Sequence, residues 1–120
     1  MDNRAIGIFD SGLGGLTAAA ALRELMPREN IIYFADSARV PYGAKSRDEL
    51  LIMARQDLEL LASFQVKFII AACGTVSSNA AHIIESFPVP SLGVLKPGIQ
   101  AMSRIPGDAP LGIIATAASI

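Results

Sequence analysis

Short apolar runs alternate along the chain with longer segments of helical periodicity. The runs are Ala5–Phe9, Ile31–Phe34, Val66–Ala72, Ser91–Val94 and Leu111–Ala115. Most are rich in Ile and Val and nearly unbroken by polar residues, the pattern of strands buried on both faces. The clearest helix runs from Ser46 to about Phe64. Ser46 and Glu49 have capping-box spacing, which satisfies two backbone donors at a helix start. Leu50, Leu51, Ala54, Leu58, Leu61 and Ala62 then recur on one face. A first helix is expected from Gly14 or Gly15 to Met26, with Pro27 just past its end. A third is expected from near Ser77 to before Pro88, and a fourth from Pro97, a residue suited to a first helical turn. The order β-α-β-α-β-α-β-α-β predicts an α/β fold with a parallel sheet flanked by helices. The last run breaks the pattern, because no covering helix follows Leu111–Ala115. A parallel edge strand left that way exposes at least one face. The chain is therefore expected to be a fragment or to need a partner, and to self-associate or dissolve poorly in isolation.

Composition narrows the function classes. With 120 residues the chain fits one ordinary domain. It is 52% hydrophobic and 18% charged, more apolar than an average soluble domain, so it can build a core. The formal charge is -1 with the two signs mixed, and no basic stripe suggests nucleic-acid binding. No apolar run approaches the ~20 residues of a membrane span. The start lacks a signal-peptide pattern, which makes the cytoplasm the default compartment. The single cysteine, Cys73, excludes an internal disulfide.

In open parallel sheets, ligands bind beyond the carboxyl ends of the strands. The first strand is followed there by Asp10-Ser11-Gly12-Leu13-Gly14-Gly15. The second is followed by Asp36-Ser37 and then Arg39-Val40-Pro41-Tyr42-Gly43, and the third by Cys73-Gly74-Thr75. Lys96-Pro97-Gly98 and Thr116 follow the last two. One topology would gather all of these at a single edge.

Each candidate has a functional and a plainer reading. Gly12-x-Gly14 after a strand, with Asp36 about 20 residues on, mimics a dinucleotide fingerprint. Thr17 at the third glycine position and a repelling carboxylate at Asp10 count against it, and no Walker lysine follows. Asp10 and Ser11 could instead meet an ammonium group while the helix N-terminus meets a carboxylate. The plainer reading is a tight turn with an N-capping Asp or Ser. Cys73 sits where a helix N-terminus would favour its thiolate, which suits nucleophilic or base chemistry. Equally, it could be a small buried hydrophobe. His82 reads as a helix-surface or partly buried residue rather than a functional one. Met26, Met53 and Met102 read as core filling. Arg39 and Lys45 flank Pro41-Tyr42-Gly43, plainly read as a solvated loop. No His/Cys/Asp spacing resembles a metal site.

Taken together, these motifs resemble one family. Ile8-Phe9-Asp10-Ser11-Gly12-Leu13-Gly14-Gly15-Leu16-Thr17 resembles the opening signature of the glutamate racemases, of the aspartate/glutamate racemase family. Tyr33 through Ser46 is similar to the family's second block, and Ala72-Cys73-Gly74-Thr75 to the block around its first catalytic cysteine. Gly93–Gly98 and Gly112–Thr116 resemble later blocks, so the resemblance covers essentially the whole chain.

The resemblance implies the N-terminal part of a two-domain fold, with the active site between the domains. Residues 1–97 would belong to the first α/β domain and 98–120 would begin the second. It implies cofactor-independent interconversion of L- and D-glutamate by two-cysteine proton transfer, supplying D-glutamate for peptidoglycan. Cys73 and Asp10 would be catalytic. Asp10, Ser11, Pro41, Tyr42, Gly43, Gly74 and Thr75 would contact substrate. The second cysteine would lie in a part missing here, so the chain alone is expected to be inactive. The partner implied is a small-molecule substrate, without nucleic acid, membrane, metal or cofactor; a homo-oligomer is compatible. In one departure, Gly74 stands where the family usually has Asn, which leaves only backbone N–H to hold a carboxylate. A racemase for aspartate or another acidic amino acid, and a truncated non-catalytic binding module, are the alternatives.

Overall fold

The computed structural model describes residues 1–120. Four parallel strands form one sheet: β1 (Ile6–Asp10), β2 (Ile31–Ala35), β3 (Phe68–Ala71) and β4 (Ser91–Gly93), in the spatial order β2-β1-β3-β4. All three pairings are parallel, with Ile6 opposite both Ile31 and Phe68, and Ile69 opposite Ser91. The helices are α1 (Leu16–Leu25), α2 (Arg47–Ser63), α3 (Gly74–Asn79), α4 (Ala81–Glu85) and α5 (Leu95–Met102). Single 3-10 turns occupy Ser37–Arg39, Tyr42–Ala44 and Ala117–Ser119.

Strand order and crossover handedness place the layers. The chain moves one way from β1 to β2, then back across β1 to β3, and onward to β4. Right-handed crossovers therefore put α1 on one face and α2, α3 and α4 on the other. The second face is the well-packed one. Phe9, Leu50, Leu58, Leu61, Ile69, Val76 and Ile84 are all at or near zero exposure in a single cluster. Full burial of each such side chain is worth about 1.5–3 kcal/mol. On the other face α1 buries none of its residues fully, and Leu13, Leu16, Leu25 and Met26 stay exposed.

Helix α2 begins as the sequence predicts. Ser46 Oγ accepts the Glu49 N–H while the Glu49 carboxylate accepts the Ser46 N–H, at 3.3 and 2.8 Å. Such a cap contributes about 1 kcal/mol. Its buried face is Leu50, Met53, Ala54, Asp57, Leu58 and Leu61. The expected stripe is thus extended by Met53 and by a buried acid.

Three expectations need correction. Leu111–Ala115 is not a strand: it pairs with no neighbour and leaves Leu111, Ile113 and Ile114 exposed. The reason lies just beyond it. Thr116, Ala118 and Ser119 hydrogen-bond to Thr75, Asn79 and Ser78 of α3. These bonds carry the segment across the carboxyl edge instead of alongside β4. The third helix starts three residues earlier than expected and is broken into α3 and α4 at Ala80. There the Asn79 amide donates to its own helix at Thr75 O, 2.9 Å, and to Ala118 O, 2.7 Å. A side-chain amide competing with the backbone in this way favours a helix end. Met26 is also no core residue. It caps the end of α1 at 44% exposure, whereas Met53 is buried.

Candidate active site

The loops after β1 and β3 leave the sheet in opposite directions, since one leads to β2 and the other to β4. A crevice opens between such diverging loops, and open α/β sheets bind ligands there. The crevice in this chain is a cleft of about 620 Å³, within the ordinary range for small-molecule sites. Its polar lining includes Asp10, Ser11, Cys73, Thr75, Ser78 and Thr116. Leu95, Ile99, Met102, Ile113 and Ile114 form an apolar side. A smaller groove of about 350 Å³ lies between α4 and α5, with Glu85 and Lys96 as its only charged residues. The larger cleft gathers more chemistry and is the candidate site.

Asp10 ends β1 and is largely buried. Its Oδ2 accepts N–H groups from Gly12 and Gly15 at 3.2 and 2.9 Å. This holds the glycine loop in place just before α1. The tight turn of the plainer reading is present, but neither Asp10 nor Ser11 is the N-cap of α1; Gly15 holds that position without a side-chain cap. Oδ1 has no hydrogen-bond partner in the chain, and Asp10 lines the cleft. Gly15 is required by close approach: a Cβ there would fall 2.6 Å from Asp10 Cβ and 3.0 Å from both Ala72 Cβ and Tyr33 Oη. Tyr33, which the motif reading left without a role, braces the loop by donating to Gly12 O at 2.8 Å. Burial and the Asp10 charge push its phenol upward, so it keeps that proton.

Cys73 is the residue before α3, in extended conformation, and is buried at 4% exposure while still lining the cleft. The first N–H groups of α3 have no partners within the helix. Gly74 is exposed beside the thiol, and a Cβ there would meet nothing within 4 Å. The first carbon of a side chain would therefore meet no obstacle at this position. Thr75 is buried and its hydroxyl pairs with that of Thr116 at 2.9 Å. Ser78 bonds Ser119 at 3.1 Å, so the C-terminal turn forms one wall of the cleft.

The remaining predicted residues lie elsewhere. Pro41 is exposed and outside the cleft lining. Tyr42 is buried, with its hydroxyl turned away to contact Asp36 and Asp57. Gly43 adjoins the site indirectly: a Cβ on it would fall 2.8 Å from Thr116 Cβ. Asp36 is buried against Arg39 and Tyr42, which removes the ribose-binding acid of the dinucleotide reading. Arg39 is ion-paired with Asp36 and Asp57 rather than free in solvent. His82 is exposed on α4, away from the cleft. Lys96 faces the smaller groove. The structure brings together no group of three or more His, Cys, Asp or Glu able to hold a metal ion. No helix is long and apolar enough to cross a membrane.

The chain resembles known proteins along nearly its whole length. No family model matches the chain. A glutamate racemase from Chlorobaculum tepidum is 47% identical over 117 residues, spanning 96% of this chain and 43% of the relative. Another, from Lactococcus lactis subsp. cremoris, is 40% identical over 121 residues, spanning 100% and 45%. Two solved structures superpose closely. The glutamate racemase of Thermus thermophilus, in complex with beta-chloro-D-alanine, gives a TM-score of 0.87 at 42% identity, covering 98% of this chain and 45% of that one. The enzyme of Francisella tularensis, in complex with D-glutamate, gives 0.88 at 41% identity, covering 99% and 45%.

The chain is related over its whole length to the N-terminal portion of glutamate racemases.

It spans less than half the length of the curated glutamate racemases it matches. Identity above 40% at a TM-score near 0.9 means that the glutamate racemase fold, and not only the generic α/β layering, is shared.

Proposed function

We propose that this chain forms one wall of a glutamate racemase active site, with Cys73 serving one face of the substrate α-carbon. The observation that carries this reading is the meeting of Cys73 and Asp10 in one cleft at the divergence of the β1 and β3 loops, in a chain related to glutamate racemases. Removing an α-proton next to a carboxylate needs a base near ambient pH and donors aimed at the carboxylate as charge develops. Cys73 supplies the base. The first-turn N–H groups of α3, with the Thr75 and Ser11 hydroxyls, supply donors. Asp10 Oδ1 receives the substrate ammonium or assists the thiol. The backbone at Pro41, Tyr42 and Gly43 is the remaining proposed contact, while the Tyr42 side chain is committed elsewhere.

Returning the proton to the opposite face needs a second base, and this chain has one cysteine. In this reading residues 1–97 belong to the first domain and 98–120 begin the second, which brings the second cysteine. The chain alone is then inactive, and the complete cytoplasmic enzyme supplies D-glutamate for peptidoglycan. At Gly74 only backbone N–H faces the substrate carboxylate in this reading, with open space around its Cα.

The test is turnover by the chain fused to the C-terminal half of the Chlorobaculum tepidum relative. L-Glutamate should be racemised, and L-aspartate should be turned over at least ~100-fold more slowly, since a site built to fit a polar group rejects one displaced by a methylene. Equal or faster turnover of aspartate would reassign the substrate.

A further inference from the structure

Asp57 is the only charged residue on the buried face of α2, at 1% exposure. Its Oδ1 accepts from Arg39 Nη2 at 2.9 Å and its Oδ2 from the Tyr42 hydroxyl at 2.8 Å. The same hydroxyl contacts Asp36 Oδ2, and Arg39 Nε reaches that oxygen at 2.5 Å. A phenol has one proton and can donate to only one of two carboxylates. The other contact requires a proton on the carboxyl itself. Charge leads to the same conclusion: two carboxylates against one guanidinium leave an uncompensated buried negative charge, which is costly. One proton resolves both problems.

The other neighbours do not supply it. Asp10 on β1 is bonded to the glycine loop, α3 carries no ionisable group, and His82 and Glu85 on α4 are exposed. Asp57 is buried more deeply than Asp36. Burial, reinforced by the Asp36 charge, pushes its carboxyl up to about 6, against the opposing pull of Tyr42 and Arg39.

The cluster also has a mechanical consequence. Tyr42 starts the turn Tyr42–Ala44, whose Gly43 has no room for a side chain against Thr116. Thr116 pairs with Thr75 beside Cys73. We propose that Asp57 is a positioning residue for the cleft: its carboxyl proton goes to the Tyr42 oxygen while the Tyr42 hydroxyl donates to Asp36, and this clamp holds the Tyr42–Gly43 turn against Thr116. Its relevance to catalysis rests on the racemase reading; the clamp itself does not.

The sign of the pH dependence follows. Between the ordinary carboxylate value of 3.8 and about 6, the folded chain holds a proton that the unfolded chain has lost. That contribution to stability is complete below the ordinary value and is lost as pH rises through about 6. A shift of two units corresponds to about 100-fold in the folding equilibrium.

The test uses the 120-residue chain with His82→Gln, which removes the sole imidazole. Amide resonances of Gly43 and Thr116 are followed by NMR from pH 4 to 8, with urea unfolding at each pH. Both amides should move with a midpoint near 6, and the folding equilibrium should weaken by about 100-fold across that range. Asp57→Asn keeps an acceptor for Arg39 and offers a donor to the Tyr42 oxygen, so it should fold and abolish both changes. Asp57→Ala should disorder the turn at every pH. Flat amides in the parent, or the same midpoint in Asp57→Asn, would overturn the proposal. If Asp57→Asn does not fold, carbon-13 titration of the parent decides: Asp57 titrating near 6 supports the clamp, and Asp57 titrating as an ordinary carboxylate overturns it. Glutamate turnover by the fusion is scored separately, so its absence would sink the racemase reading and leave the clamp standing.

Discussion

Cys73→Ala in the fusion is expected to lower glutamate racemisation by at least ~1,000-fold, the scale of a general acid–base group and about 4 kcal/mol of barrier. The thiol cannot be replaced locally. Ser11, Thr75, Ser78, Thr116 and Ser119 put hydroxyls on the cleft, and a hydroxyl is far too weak a base at neutral pH. Water is a poor substitute because the cleft side formed by Leu95, Ile99 and Met102 is apolar. The fold should survive. Removing one sulfur from a core position costs about 1 kcal/mol, and the hydrogen bonds around Cys73 are made by its backbone, as in Ser77 N–H to Cys73 O at 2.9 Å. Chiral chromatography with a parallel melting curve separates the two effects. Turnover within tenfold of the parent would remove Cys73 from the chemistry.

The second large effect is on stability. Gly15→Ala is expected to destabilise the chain by about 2–4 kcal/mol, as overpacking plus loss of a charge-assisted bond to Asp10. Helix propensity favours Ala over Gly by up to about 1 kcal/mol, but steric conflict wins here. The new methyl would meet Asp10 Cβ at 2.6 Å and two more atoms at 3.0 Å, and the Cβ atoms cannot swing aside. Any relief must come from lifting the loop off Asp10, which would open the Gly15 N–H bond of 2.9 Å. Gly14→Ala is the internal control, because its Cβ would meet only Asp10 Oδ2 at an ordinary 3.7 Å. Urea unfolding should show a lower midpoint for Gly15→Ala and little change for Gly14→Ala. Equal midpoints would show that the loop yields more easily than its contacts indicate.

The parallel sheet and its carboxyl-edge site are written in local signals. The Ile/Val runs of β1 to β3 have no other stable home than a sheet interior. Ser46 and Glu49 mark the start of α2 because their chemistry acts within one turn. Asp10 and Cys73 meet because parallel connectivity forces strand ends to one edge, whereas Thr116 follows no strand and is held there by its hydroxyl against Thr75. Tertiary effects were less visible. Leu111–Ala115 has strand composition but no ladder partner, and the hydroxyls that divert it contact residues about 40 positions away. The break after Asn79 depends on Ala118 in the same way. Asp57 did leave a trace. It lies three residues after Ala54 and four before Leu61, on the apolar stripe of α2, where a charge calls for a buried partner. Its partners Arg39 and Tyr42 come from a loop whose inward turn no periodicity encodes.

If this chain holds one half of a two-base site, it leaves L-glutamate unchanged when it acts alone. Incubation with the purified 120 residues, followed by chiral chromatography, should yield no D-glutamate above the enzyme-free control. The same chain fused to the C-terminal half of its Chlorobaculum tepidum relative should yield the racemic mixture. Sustained D-glutamate formation by the isolated chain, lost on Cys73→Ala, would place both bases within these residues and overturn the two-domain site.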